Sequence, residues 1–126
     1  MANTWEEWLR QADYDMDTAE DMLRAGRAFY AVFMCHLSVE KAAKGLYHRK
    51  LGRIPPKTHN IVFLLREVSV RPPRGLDHFI ASLDDAHIAT RYPDDIDKLA
   101  SRYDTESARE ILNRGKETTL WIKTQL

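Results

Sequence analysis

The chain has a single cysteine, Cys35, among 126 residues. One cysteine makes no disulfide framework and gives no sign of an oxidising compartment. Set in an apolar run, it reads as a small buried hydrophobe. An excess of either charge is also missing, because 19 lysines and arginines balance 19 acids. No bulk field therefore draws the protein to nucleic acid, which argues against a general coating role and leaves room for a local basic patch. No apolar run nears the roughly 18 residues that a bilayer span requires. The opening residues, Met-Ala-Asn-Thr-Trp-Glu-Glu, have neither the basic nor the apolar region of a secretory leader, so the expected location is the cytoplasm. No stretch alternates apolar and polar residues for long enough to make a strand. No repeat, low-complexity tract or linker divides the chain, and it reads as one domain over residues 1–126.

What remains is helix. The apolar fraction of 44% supports a real core without disulfide or metal staples. Thr4-Trp-Glu-Glu7 fits a capping box, and Trp5, Trp8, Ala12, Met16, Ala19, Met22 and Leu23 recur on one helical face until Gly26. The opposite face carries Asp13, Asp17, Glu20 and Asp21, read as a solvated surface rather than a metal site. A second helix is expected from about Ala28 to Leu51, with Gly52 just past its end. Its apolar stripe is broad, which places it in the middle of a bundle. Glu40 and Lys44 stand i,i+4 in the favourable order, a pair worth a few tenths of a kcal/mol on an exposed face; if they sit beside the wide stripe, they are instead partly buried and face a cleft. Thr58 is expected to cap a short third helix, His59 to about Val68. A fourth runs from about Leu76 to Thr90, stopped by Pro93. After a weakly patterned connection from Asp94 to Tyr103 that has room for a helical turn, Asp104 or Thr105 caps the last helix, where Gly115 allows close approach of a neighbour. The predicted fold is all-α: an antiparallel up-and-down helical bundle of three long and two short helices.

One stretch resists explanation by packing. His87-Ile-Ala-Thr-Arg-Tyr-Pro-Asp-Asp95 puts an arginine, a tyrosine and two carboxylates on a proline-broken segment, where a turn rather than helix periodicity sets their directions. Arg91 suits a phosphate; Tyr92 or Tyr103 suits stacking on a base, and Asp94 can orient the arginine or accept from a ribose hydroxyl. The alternative is a structural turn, in which Asp94 or Asp95 caps the next helical turn, Arg91 pairs with a carboxylate such as Glu40, and Tyr92 packs on the bundle. His59, at a helix start, is a capping or surface residue, or a phosphate contact.

Trp8, Ala12 and Asp15, then Phe29-Tyr-Ala-Val-Phe-Met-Cys-His-Leu-Ser-Val-Glu-Lys-Ala-Ala-Lys44, then Gly52 with Ile54-Pro55, Thr58-His59-Asn60, and Arg91-Tyr-Pro-Asp94 follow one another along the chain. In this order and spacing the pattern resembles the HEPN domains. The resemblance covers nearly the whole chain. It implies a helical bundle that forms homodimers, often beside a minimal nucleotidyltransferase in a toxin–antitoxin-like system. Many members are metal-independent endoribonucleases that use an arginine and a histidine four to six residues apart near the start of the last helix; others have lost catalysis and bind nucleotides or act as scaffolds. This chain departs from the ribonuclease pattern. Arg91 is followed by no histidine at that spacing, and Arg53 with His59 or Arg71 with His78 precede the wrong helix. Arg91 is thus a weak catalytic candidate, because RNA cleavage without metal calls for a proton-transferring group such as histidine. The expected role is nucleotide or RNA association through Arg91, Tyr92, Asp94, Tyr103, His59, Glu40 and Lys44, with no metal or cofactor. Exposed tyrosines would be acceptors for nucleotide transfer by the partner. A purely structural interaction module is the alternative.

Overall fold

The structure, a computed structural model, describes residues 4–126. The first three residues, part of the stretch read above for a leader, lie outside the described residues. Among those described there are six helices and no strand: α1 (Trp5–Arg24), α2 (Ala28–Leu51), α3 (Ile61–Glu67), α4 (Leu76–Arg91), α5 (Ile96–Arg102) and α6 (Thr105–Thr124). The up-and-down bundle forms as expected around α2, which touches every other helix. Its Val32, Cys35, Val39, Ala42, Ala43 and Leu46 are fully buried. No helix among the described residues is long and apolar enough to cross a membrane.

The helix ends follow their local sequence in some places and depart from it in others. Thr4 Oγ1 accepts from Glu7 N at 3.1 Å, but the Glu7 carboxylate accepts from Gln11 Nε2 at 3.1 Å instead of completing a capping box. Gly52 ends α2 with φ of 66°, the left-handed conformation that glycine adopts without strain. The third helix starts at Ile61, two residues later than expected. Asn60 rather than Thr58 caps it, with Asn60 Oδ1 accepting from Phe63 N at 2.9 Å. The short helix α5 takes the place of the weakly patterned connection. Asp95 Oδ1 caps it by accepting from Asp97 N and Lys98 N, and Leu99 is its one buried residue, so it leaves no apolar stripe to read.

Two contacts fix the long helices against each other. On α6, a Cβ added to Gly115 would run into Cys35 Sγ and approach Met16 Cε to 3.3 Å, so glycine lets α6 close on α1 and α2. Burial pushes the Cys35 thiol up to about 12, leaving it a packing group. The acidic face of α1 is less free than expected. Glu20 accepts from Arg109 at 2.6 and 2.8 Å and is paired with Lys116, and Asp13 accepts from Lys123 at 2.8 Å. The Arg109 guanidinium, with Lys116, holds the Glu20 carboxyl down to about 2. These pairs bind α1 to α6.

Candidate functional site

Along α2, His36, Glu40 and Lys44 recur every four residues and so stand in one line on the helix. All three are buried, with Glu40 at 2% and Lys44 at 8% exposure. Buried charge is costly unless it is paired, and here the two charges of the line, Glu40 and Lys44, pair with each other. Lys44 Nζ lies 3.0 Å from Glu40 Oε2 and 5.6 Å from the Trp8 ring centroid. Glu40 Oε1 faces His59 Nδ1 at 2.9 Å. On its other edge, His59 Nε2 lies 3.3 Å from Arg91 Nη1. A guanidinium only donates, so the network assigns Nε2 as an acceptor and puts the ring proton on Nδ1, donated to Glu40. The result is a relay Lys44–Glu40–His59–Arg91, running from the buried interior to an exposed cation.

A second histidine pair backs this relay. His36 Nε2 lies 2.9 Å from Asp84 Oδ1, and a carboxylate only accepts, so His36 donates. The same carboxylate accepts from Ile61 N at 3.0 Å and Val62 N at 3.1 Å. Asp84 on α4 thus satisfies the free amides at the start of α3, which is what holds His59 over Glu40. His87, one turn further along α4, sits among three rings. Its centroid is 4.3 Å from His36, 4.9 Å from His59 and 6.0 Å from Phe33. Burial above all, and then the surrounding His36 and His59 rings and the Arg91 cation, each disfavouring a proton on His87, push it down to about 4. It is a neutral ring at neutral pH, and its buried Nδ1 has no hydrogen-bond partner among the described residues. The mouth of the cluster is a hollow of about 360 Å³ lined by Thr58, His59, Asn60, Asp84, Asp85, His87 and Ile88.

The residues named from sequence separate into three groups. His59, Arg91, Glu40 and Lys44 come together. Arg91 reaches Glu40 only through His59, not by the direct pair the structural alternative supposed. Tyr92 is 70% exposed rather than packed on the bundle, and with Asp94, Lys98 and Arg102 it lines a separate hollow of about 300 Å³. Asp94 is not the cap of α5, a role taken by Asp95. Tyr103 is buried, 7% exposed, so its ring offers no free stacking face. His36, Asp84 and His87 were not recognised as site residues. Their signal lies in helix spacing: Asp84, His87 and Arg91 share one face of α4 at intervals of three and four. A search for arginine followed by histidine passes over that reverse order. Among the described residues, no group of three or more His, Cys, Asp or Glu side chains is arranged to hold a metal ion.

Fold and site define a small all-helical module with an imidazole–arginine cluster where α2, α3 and α4 meet. The chain belongs to the HEPN family, whose domain matches residues 5–125. It is similar to the crystal structure of TT1696 from Thermus thermophilus, with 29% identity, TM-score 0.84, and 99% of this chain and 100% of that chain covered. It is also similar to ST0689, described as an archaeal HEPN homologue, with 26% identity, TM-score 0.78 and 98% of each chain covered. Comparison with curated protein sequences gives no match.

Proposed function

We propose that this HEPN protein binds a nucleotide or RNA, taking a phosphate on Arg91 beside His59 at the mouth of the α3–α4 hollow. The observation that carries this reading is the Lys44–Glu40–His59–Arg91 relay, whose buried end is neutralised and whose open end is an exposed guanidinium. Arg91 can turn from His59 to a phosphate and engage it bidentately. His59 Nε2, then released, is a free acceptor beside the bound phosphate, placed to take a hydrogen bond from a ribose hydroxyl of the same ligand. Glu40 fixes the imidazole tautomer from behind, as a carboxylate does for many functional histidines. In this reading the protein acts as a homodimer with a minimal nucleotidyltransferase partner in a toxin–antitoxin-like pair. Tyr92, the exposed tyrosine next to Arg91, is then the acceptor for nucleotide transfer.

Calorimetric titration with ATP, GTP and a short RNA tests the site, supported by thermal shift. A ligand at 100 times its Kd adds about 2.7 kcal/mol of stability. Arg91→Ala and His59→Gln should each weaken binding at least tenfold. No binding by any of the three ligands, with a folded protein, leaves the reading without support. A second reading, metal-independent RNA cleavage, is favoured by the 3.3 Å approach of Arg91 to His59, which makes in space the pair that the sequence lacks. RNA incubated in EDTA should then be cut by the wild type and not by His59→Gln.

A further inference from the structure

The zero net charge conceals a strong separation. Residues 41–76 carry nine lysines and arginines against one acid, Glu67; the rest of the chain carries ten against eighteen. Lys41 and Lys44 are committed to Asp15 and Glu40. The next four cations, Arg49, Lys50, Arg53 and Lys57, are exposed and form no salt bridge among the described residues. By contrast, Arg109, Arg114, Lys116 and Lys123 on α6 all have carboxylate partners.

These four lie at the C-terminal end of α2 and on the loop that follows. Two are positioned by aromatic rings instead of acids: the Arg49 guanidinium lies 5.0 Å from the Trp5 ring centroid, and that of Arg53 lies 5.7 Å from Tyr47, with Nε donating to Tyr47 Oη at 3.2 Å. After Gly52 the chain returns along α2 to bring His59 beside Glu40. Glu40 is eleven residues back from Leu51, about 16 Å along the helix axis. Lys57 stands on this return, two residues before His59. The acids nearest in sequence to Trp5 are Glu6 and Glu7, and Glu7 is engaged by Arg10 and Gln11.

We infer that the end of α2 and the 52–58 return form a track for the backbone of single-stranded RNA, leading to the His59–Arg91 phosphate site. This rests on the phosphate-site reading above for its end point, but not for its cations. RNA fits better than an anionic membrane. Guanidinium groups laid on aromatic rings suit bases and phosphates in series, and the exposed large apolar side chains at this end are two, Leu51 and Ile54, too few to anchor on lipid.

The test is fluorescence anisotropy of a labelled ten-residue oligouridylate between 50 and 200 mM salt, beside calorimetry with ATP. Lys50→Gln/Lys57→Gln touches no packed group and should fold as the wild type. It should weaken oligouridylate about tenfold and lower the salt slope by about 1.4, the share of two phosphate contacts on a single strand. ATP binding should stay unchanged. Arg49→Gln/Arg53→Gln should act in the same direction. Oligouridylate affinity and salt slope untouched by both pairs would overturn the track, as would binding to phosphatidylserine vesicles through these residues with none to RNA. If ATP binds and oligouridylate does not, the track fails and the phosphate site stands. If oligouridylate binding depends on Lys50 and Lys57 while ATP fails to bind and Arg91→Ala has no effect, the track stands and the phosphate site falls.

Discussion

The neutral His87 ring makes the protein acid-sensitive in a defined window. Its value falls from 6.5 to about 4 in the folded state, so as pH drops the unfolded chain takes up the proton first. The stabilisation is complete above about pH 6.5 and is lost as pH falls toward 4. At pH 5 this loss is about 2 kcal/mol for a ring shut off from solvent. His87 lines an open hollow, where screening reduces the working figure to about 1 kcal/mol. The variant His87→Leu keeps an apolar side chain against Phe33 and His36 but cannot titrate. Urea unfolding at pH 7.5 and pH 5 should show the wild type losing about 1 kcal/mol more than the variant over that interval. The carboxylates and other histidines contribute to both proteins and largely cancel in the difference. Equal losses in the two proteins would refute the argument, as would an NMR titration that places His87 near 6.5.

Two further substitutions probe the packing that positions the site. Gly115→Ala gains about 1 kcal/mol of helix propensity but drives a methyl into Cys35 Sγ and Met16, for a net loss of about 1–2 kcal/mol. In a Cys35→Ala background the same change should be neutral or stabilising in urea unfolding, and stabilisation in the wild-type background would contradict the contact. Asp84→Ala removes the acceptor for His36, Ile61 N and Val62 N and should cost about 2–4 kcal/mol. The Ile61 and Val62 amides should then exchange much faster than in the wild type; unchanged exchange would show that α3 is held by other means.

The long helices were legible because their determinants are local. Apolar residues spaced along α1, α2 and α6, a threonine or aspartate cap, and glycine after the helix end all act within a few residues. The short helices were legible only in part: α3 was expected but placed two residues early, and α5 was read as a weakly patterned connection. The start of α3 depends on a carboxylate from α4, and α5 buries one side chain, so neither leaves a complete signature in its own segment. The site was half legible for the same reason. Glu40 and Lys44 declare themselves by spacing on one helix, and Arg91 by the proline-broken turn beside it. His59 meets Arg91 across 32 residues, a distance that no motif of four to six residues spans. Tyr103 misled because exposure cannot be read from residue type in a segment without periodicity.

The position of Asp84 bears on how the protein is made. α3 is seven residues long, about 10 Å, too short to persist by itself in water. Its anchor lies 23 residues downstream of Ile61 and 48 downstream of His36. On the ribosome, α1 and α2 emerge first and can pair through contacts close in sequence. The segment that becomes α3 emerges before the carboxylate that secures it. His59 therefore gains its place over Glu40 only when α4 docks, and the histidine–arginine cluster appears in one late event instead of accumulating piece by piece along the nascent chain.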